Sequence, residues 1–85
     1  MNPSRPPNPI EKLYSSLNKE VLIKTKRNRE FRGTLRSYDN HLNLKLEKCV
    51  YKYQERQADE TYLPIEESFD EIIIRGDNII FIGFE

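Results

Sequence analysis

Two runs of consecutive apolar residues, at positions 72–74 and 79–82, lie near the end of this 85-residue chain. Strands of that kind are usually covered on both faces. A chain of this length forms one domain and has little protein left to cover them. Pairing of an exposed strand edge with another chain is the simplest cover. The sequence therefore predicts an oligomer. The residues predicted at its interface are Ile79, Ile80, Phe81 and Ile82.

A short amphipathic helix is predicted before the strands. Asn8 can cap it, Pro9 suits its first turn, and Asn18 is predicted to end it. Four apolar residues at helical spacing predict one buried face. They are Ile10, Leu13, Tyr14 and Leu17. Residues 1–8 are rich in proline, which predicts a flexible, extended tail ahead of a single domain at 9–85.

The rest of the chain reads as five short strands. Residues 20–26 are rich in β-formers, and residues 30–38 and 42–53 alternate apolar and polar side chains. The alternation slips by one position between Leu46 and Cys49, which predicts a bulge in a bent strand. Gly33 marks a point where a strand bends or another backbone comes close. The fold class predicted is mainly β, a short helix followed by five strongly bent antiparallel strands in a small open barrel.

Charge is unevenly distributed although the net charge is zero. Residues 1–54 carry twelve Lys and Arg against five Asp and Glu, and residues 55–85 carry two against nine. The acidic segment at 54–68 contains a proline and is predicted to be a loop with extended arms. The basic front half could attract phosphates, or the two halves could neutralise one another within or between subunits. Six cations could form either a solvated face or a phosphate track: Lys24, Lys26, Arg27, Arg29, Arg32 and Arg36.

Composition excludes several classes of protein. The single cysteine, Cys49, allows no intramolecular disulfide and no zinc-ligand spacing, and it is expected to be a packing residue in a reducing compartment. No apolar run approaches the roughly 20 residues of a membrane span, and the N-terminus does not resemble a secretion signal. We therefore expect no membrane association, no metal and no cofactor.

Two polar turns carry the side chains best suited to binding a nucleic-acid base. An unpaired base offers two π faces and one hydrogen-bonding edge. His41 and Arg75 are flat groups that can stack on the faces, and the Asn43 amide both donates and accepts, as the uracil edge requires. These residues could instead be ordinary turn residues. A small nuclease is disfavoured, because no second histidine or carboxylate cluster accompanies His41.

Three further residues complete the candidate site. Asp39 accepts hydrogen bonds only when ionised, so it can hold the Asn43 amide in one orientation. Gly76 lacks a side chain and could let a nucleotide approach the backbone. Asp77 is expected to shape the second turn.

Both turns lie in runs that resemble the two signatures of the Sm and Sm-like (Lsm) family, at residues 31–46 and 72–83. The first is carried by Phe31, Gly33, Leu35, Tyr38, Asp39, His41, Leu42, Asn43, Leu44 and Leu46. The second is carried by Ile73, Ile74, Arg75, Gly76 and Asp77. Within the family the chain is most similar to the third subunit of eukaryotic Lsm rings, with the D-two type of Sm protein as the nearest alternative.

The resemblance implies the Sm fold and a heteroheptameric ring with other Lsm subunits, and no enzyme activity. It implies that uridine-rich single-stranded RNA binds at Asp39, His41, Asn43, Arg75, Gly76 and Asp77. The implied targets are the 3′ end of U6 small nuclear RNA in splicing and oligoadenylated or deadenylated mRNA 3′ ends in decapping and decay, in nucleus and cytoplasm. A core spliceosomal Sm protein or a scaffold subunit with a silent pocket remains an alternative. A homo-oligomeric ring is expected to be possible when the chain is purified alone.

Overall fold

A short helix and five strands make up the computed structural model, which describes residues 9–84. This confirms the predicted mainly-β class and order of elements. The predicted tail and the Asn8 cap lie outside the described residues. No helix within 9–84 is long and apolar enough to cross a membrane. The elements are α1 (Pro9–Ser15), β1 (Glu20–Thr25), β2 (Arg29–Tyr38), β3 (Leu44–Arg56), β4 (Tyr62–Ile74) and β5 (Ile79–Phe84).

The five strands form one bent antiparallel sheet in the order β4-β3-β2-β1-β5. Its concave side encloses a small apolar core that α1 helps to close. Strands β4 and β5 are at the two ends of the order, so each has an unpaired edge within the described chain. Buried side chains of the core are Leu13, Val21, Ile23, Phe31, Leu35, Leu44, Leu46, Cys49 and Ile74.

The predicted bulge is present in β3. Arg32 pairs with Val50 and Thr34 with Glu47, so the register shifts at this point, and Lys48 has a positive φ of 51°. Gly33 lies opposite this shift. A Cβ added there would stand 3.0 Å from both the Cys49 Cα and the Glu47 carbonyl oxygen. Close approach of the neighbouring backbone is therefore what requires glycine at position 33, as the sequence predicts.

The loop predicted for residues 54–68 is mostly strand. β3 continues to Arg56 and β4 begins at Tyr62, so only a short turn separates them. The pairs Gln54 with Pro64 and Arg56 with Tyr62 keep the two strands in register. A proline is tolerated here because β4 is an edge strand, where one missing backbone N–H breaks no central ladder. The acidic segment therefore forms one side of a projecting hairpin.

The predicted helix face is only partly buried. Leu13 is fully buried and Leu17 packs against the core, but 71% of Tyr14 is exposed. The helix has only seven residues, and successive residues are rotated by about 100° around its axis. Leu13 therefore occupies the contact with the sheet, and Tyr14 turns away from it. Asn18 has a φ of 65°, the left-handed conformation typical of a residue that ends a helix.

The apolar runs of β4 and β5 are covered on one side only. Ile79 and Ile82 pack against the core, whereas Ile80 and Phe81 are 69% and 52% exposed. Ile73 is likewise 66% exposed. The single chain thus leaves an apolar surface at both ends of its sheet, where the sequence predicts a subunit interface.

Candidate RNA-binding site

The two polar turns singled out in the sequence meet in the structure. The first turn links β2 to β3, and the second, Gly76–Asn78, links β4 to β5. Leu44 at the start of β3 pairs with Ile74 at the end of β4. This pairing of strand ends brings residues 39–43 and 75–77 side by side, although about thirty residues separate them in the sequence.

Asp39 organises the first turn. Its Oδ1 accepts hydrogen bonds from the backbone N–H groups of His41 at 2.8 Å and Asn43 at 3.0 Å. Its Oδ2 accepts one from the Asn43 side-chain Nδ2 at 2.9 Å. These bonds stabilise the ionised carboxylate, so they lower the pKa of Asp39 below the usual 3.8, with the Asn43 side chain the largest cause.

Asn43 bridges the two turns. The backbone N–H of Gly76 donates to Asn43 Oδ1 at 2.9 Å, while Asn43 Nδ2 donates to Asp39. A carboxylate only accepts and a backbone N–H only donates, so these two partners permit a single orientation of the amide. One amide N–H and one oxygen lone pair remain for a ligand. A neighbouring N–H donor and carbonyl acceptor match the carbonyl and imide N–H of uracil.

Gly76 has a packing role in addition to the nucleotide approach predicted from the sequence. A Cβ at this position would collide with the carbonyl oxygen of His41 and lie 2.9 Å from the carbonyl carbon of Leu42. The first turn itself approaches the Gly76 backbone closely. Leu42 itself has a φ of 61°, so the first turn passes Gly76 in a tight conformation. Glycine is required because the two turns touch.

The stacking candidates stand at the rim of the site. His41 and Arg75 are exposed, and Arg75 Nη2 lies 3.3 Å from Asp77 Oδ2. Asp77 therefore forms an exposed ion pair with the guanidinium as well as part of the turn, a contact that the sequence did not reveal. Five of the six predicted site residues line one cleft of about 560 Å³, and Asp39 supports it by orienting Asn43. They are His41, Asn43, Arg75, Gly76 and Asp77.

Two further features of the described residues concern other chemistry. Within residues 9–84, no group of three or more His, Cys, Asp or Glu side chains is placed to hold a metal ion. Cys49 is fully buried, and burial raises the pKa of its thiol. It lies on β3 and packs in the core, as expected of a packing residue.

Fold and site together define a small open β-barrel with a two-turn cleft suited to an unpaired base. The LSM domain family model matches residues 11–84, and the chain belongs to that family. It is 38% identical over 78 residues to a protein described as snRNP Sm-like from Archaeoglobus fulgidus, covering 92% of this chain and 91% of that one. A Thermococcus sibiricus protein with the same description is 40% identical over 75 residues, covering 88% of each.

Solved structures show the same fold. The Pyrococcus abyssii Sm protein in complex with a uridine heptamer superposes with a TM-score of 0.73 at 33% identity, covering 93% of this chain and all of that one. A heptameric archaeal Sm protein gives 0.67 at 32% identity, covering 88% and 97%. These likenesses confirm the Sm fold predicted from the sequence. They also confirm that the chain belongs to a family of RNA-binding proteins that are not enzymes.

Proposed function

We propose that this chain is a subunit of a ring that binds uridine-rich single-stranded RNA, with one base held in each subunit. The base stacks between His41 and Arg75, and Asn43 reads its edge. The observation that carries the proposal is the hydrogen-bonded series from Asp39 through Asn43 to the Gly76 N–H, which fixes the amide before any ligand arrives. A donor and an acceptor fixed in advance cost little further ordering on binding.

The need for several subunits follows from the binding free energy that one site can supply. One stacked base contributes about 1–3 kcal/mol, whereas a nanomolar dissociation constant needs about 12 kcal/mol. One site is therefore too weak, and several sites on one ring gain through effective concentration. The open edges of β4 and β5 and the exposed Ile80 and Phe81 support such a ring. The similar archaeal proteins named above include a heptamer and a complex with a uridine heptamer.

Fluorescence anisotropy with labelled oligouridine and oligoadenosine tests the proposal. We expect wild type to prefer uridine, and Asn43→Ala to lose that preference with about tenfold or greater loss of oligouridine affinity. Asn40→Ala is the matched control, because Asn40 is exposed in the same turn. Equal uridine preference in all three proteins would leave the scaffold alternative, a subunit whose pocket is silent.

A narrower proposal concerns the biological setting. Three features support a role as the third subunit of a eukaryotic Lsm ring. They are the Tyr38-Asp39-x-His41 sequence motif, the basic turn at 26–30 and the acidic hairpin. That role would place the chain with unlike Lsm subunits in nucleus and cytoplasm, on U6 small nuclear RNA and mRNA 3′ ends. The relatives named above are archaeal. Preference for uridines at a free 3′ end over the same tract enclosed by a 3′ hairpin tests the end-binding part.

A further inference from the structure

A cationic groove adjoins the base cleft. It has a volume of about 510 Å³ and lies between the turn at 26–28, which links β1 to β2, and the end of β4. Four of its lining residues are cationic and none of the ten is acidic. Arg75 lines both the groove and the base cleft, so the two adjoin at this residue. The cationic residues are Lys26, Arg27, Arg29 and Arg75.

The two turns on either side of the groove are tied together. The backbone N–H of Lys26 donates to the Asn78 carbonyl oxygen at 3.0 Å, and Thr25 pairs with Ile79 across β1 and β5. The turn at 26–28 is only three residues long, since Thr25 pairs with Arg29. The cationic side chains are therefore carried on a short hairpin end that is attached to the second turn of the base site.

The cations singled out in the front half of the chain differ in their ion pairing within the described residues. Arg32 and Arg36 are ion-paired, with Glu20 at 3.5 Å and Glu47 at 3.3 Å. By contrast, the three cations of the β1–β2 hairpin end make no ion pair with any residue in the 9–84 range. These three are Lys26, Arg27 and Arg29. Unpaired cations held close together repel one another, and the negative charge of a bound polyanion relieves that repulsion. Binding is favoured further because the neutralised phosphates release their counterions.

We propose that this groove binds the phosphodiester backbone of the same RNA strand whose bases enter the cleft. Every base is flanked by phosphates, so a cationic surface that adjoins a base site is where that backbone can run. Arg75, which lines both, would contact base and backbone at adjoining positions. The inference rests on the proposed function and adds a second, sequence-independent contribution to it. Base identity is read by Asn43, and the groove contributes affinity for any sequence.

The test compares assembled wild-type protein with two double variants of equal net charge. Arg27→Gln/Arg29→Gln removes groove cations, and Arg36→Gln/Arg56→Gln removes two arginines that lie outside the groove in exposed ion pairs. Dissociation constants for labelled oligouridine are measured across a salt series, after light scattering has confirmed equal masses. We expect the groove variant to bind at least about tenfold more weakly. Its logarithmic salt slope should fall by about 0.7 for each phosphate that the variant no longer neutralises.

The outcomes separate this inference from the base site. A backbone contact is supported if the groove variant has the lower salt slope and still prefers oligouridine over oligoadenosine. Affinity and slope equal to those of the Arg36→Gln/Arg56→Gln control would overturn the inference, while sensitivity to Asn43→Ala would still support the proposed function. A wild-type protein that binds no oligouridine would overturn both.

Discussion

The Asp39 carboxylate and the Asn43 side-chain amide are joined by a 2.9 Å hydrogen bond, and the same amide accepts the Gly76 N–H at 2.9 Å. This series crosses from the β2–β3 turn to the β4–β5 turn. The fold itself therefore fixes the orientation of the group proposed to read uracil. Asn43 lies between two partners that cannot reverse their roles, because a carboxylate only accepts and a backbone N–H only donates.

Replacing Asp39 by Asn is expected to weaken uridine recognition without unfolding the protein. The new amide presents an N–H group where Asn43 needs an acceptor, so the Asn43 side chain loses its fixed orientation. We expect about tenfold weaker binding of oligouridine by anisotropy, with the preference over oligoadenosine reduced. Asp59→Asn is the matched control, because Asp59 accepts similar bonds from Thr61 in the β3–β4 turn. Similar affinities for the two variants would contradict the role given to Asp39.

The Asp39 carboxylate is expected to become protonated only at unusually low pH. Hydrogen bonds, chiefly from the Asn43 side chain, lower its pKa in the folded protein below 3.8. Because the pKa of Asp39 is lower in the folded state than in the unfolded state, the ionised carboxylate stabilises the fold fully at pH values well above about 3.8. That contribution is lost as the pH falls from about 3.8 through the folded-state pKa. Carbon-13 NMR titration of the carboxyl group should give a midpoint below 3.8. A midpoint at or above it would mean that these hydrogen bonds do not persist in solution.

Adding one methyl group at Gly76 is expected to separate the two turns. The added Cβ would meet backbone atoms of His41 and Leu42, which cannot move aside as a flexible side chain can. We expect Gly76→Ala to destabilise the fold by about 1–3 kcal/mol in denaturant unfolding and to weaken RNA binding. Gly83→Ala gains the same unfolded-state restriction, but its nearest contact is the Phe81 ring at 3.1 Å. Equal stability losses would contradict a specific requirement at Gly76.

Charge on the exposed face of β5 is expected to prevent assembly. Ile80 is 69% exposed in the single chain and lies on an edge strand, so a subunit interface would bury it. Ile80→Asp should shift the mass measured by size exclusion with light scattering towards the monomer, whereas Asn43→Ala should not. Tyr14→Asp is the control, because Tyr14 is similarly exposed but lies on α1. Unchanged elution of Ile80→Asp would argue against an interface at this strand.

Much of the fold could be predicted from local patterns. The slip between Leu46 and Cys49 gave the bulge, and Gly33 gave the close backbone approach, because both are properties of strand alternation and side-chain size. The extent of β3 and β4 could not be predicted in this way. Acidic residues and Pro64 favour a loop when considered locally, and only cross-strand pairing shows that residues 54–56 and 62–68 are strand.

The candidate site was predictable in its residue types and not in its contacts. The chemistry of Asn43 and His41 follows from their side chains, whereas the Asn43 bond to Gly76 joins residues 33 positions apart. The reason for glycine at position 76 likewise needs the neighbouring turn. Strand periodicity alone does not specify which carboxylates lie across the sheet from each arginine. It therefore could not predict that Arg32 and Arg36 are ion-paired while Arg27 and Arg29 are not.

The native mass of the purified chain, alone and with short oligouridine, tests the central claim most directly. We expect a ring of about seven subunits, as in a similar archaeal Sm protein. That ring should retain oligouridine, and the Asn43→Ala ring should keep its mass and lose the RNA. A monomer or small oligomer that does not bind oligouridine would contradict a multivalent uridine site built by this chain on its own.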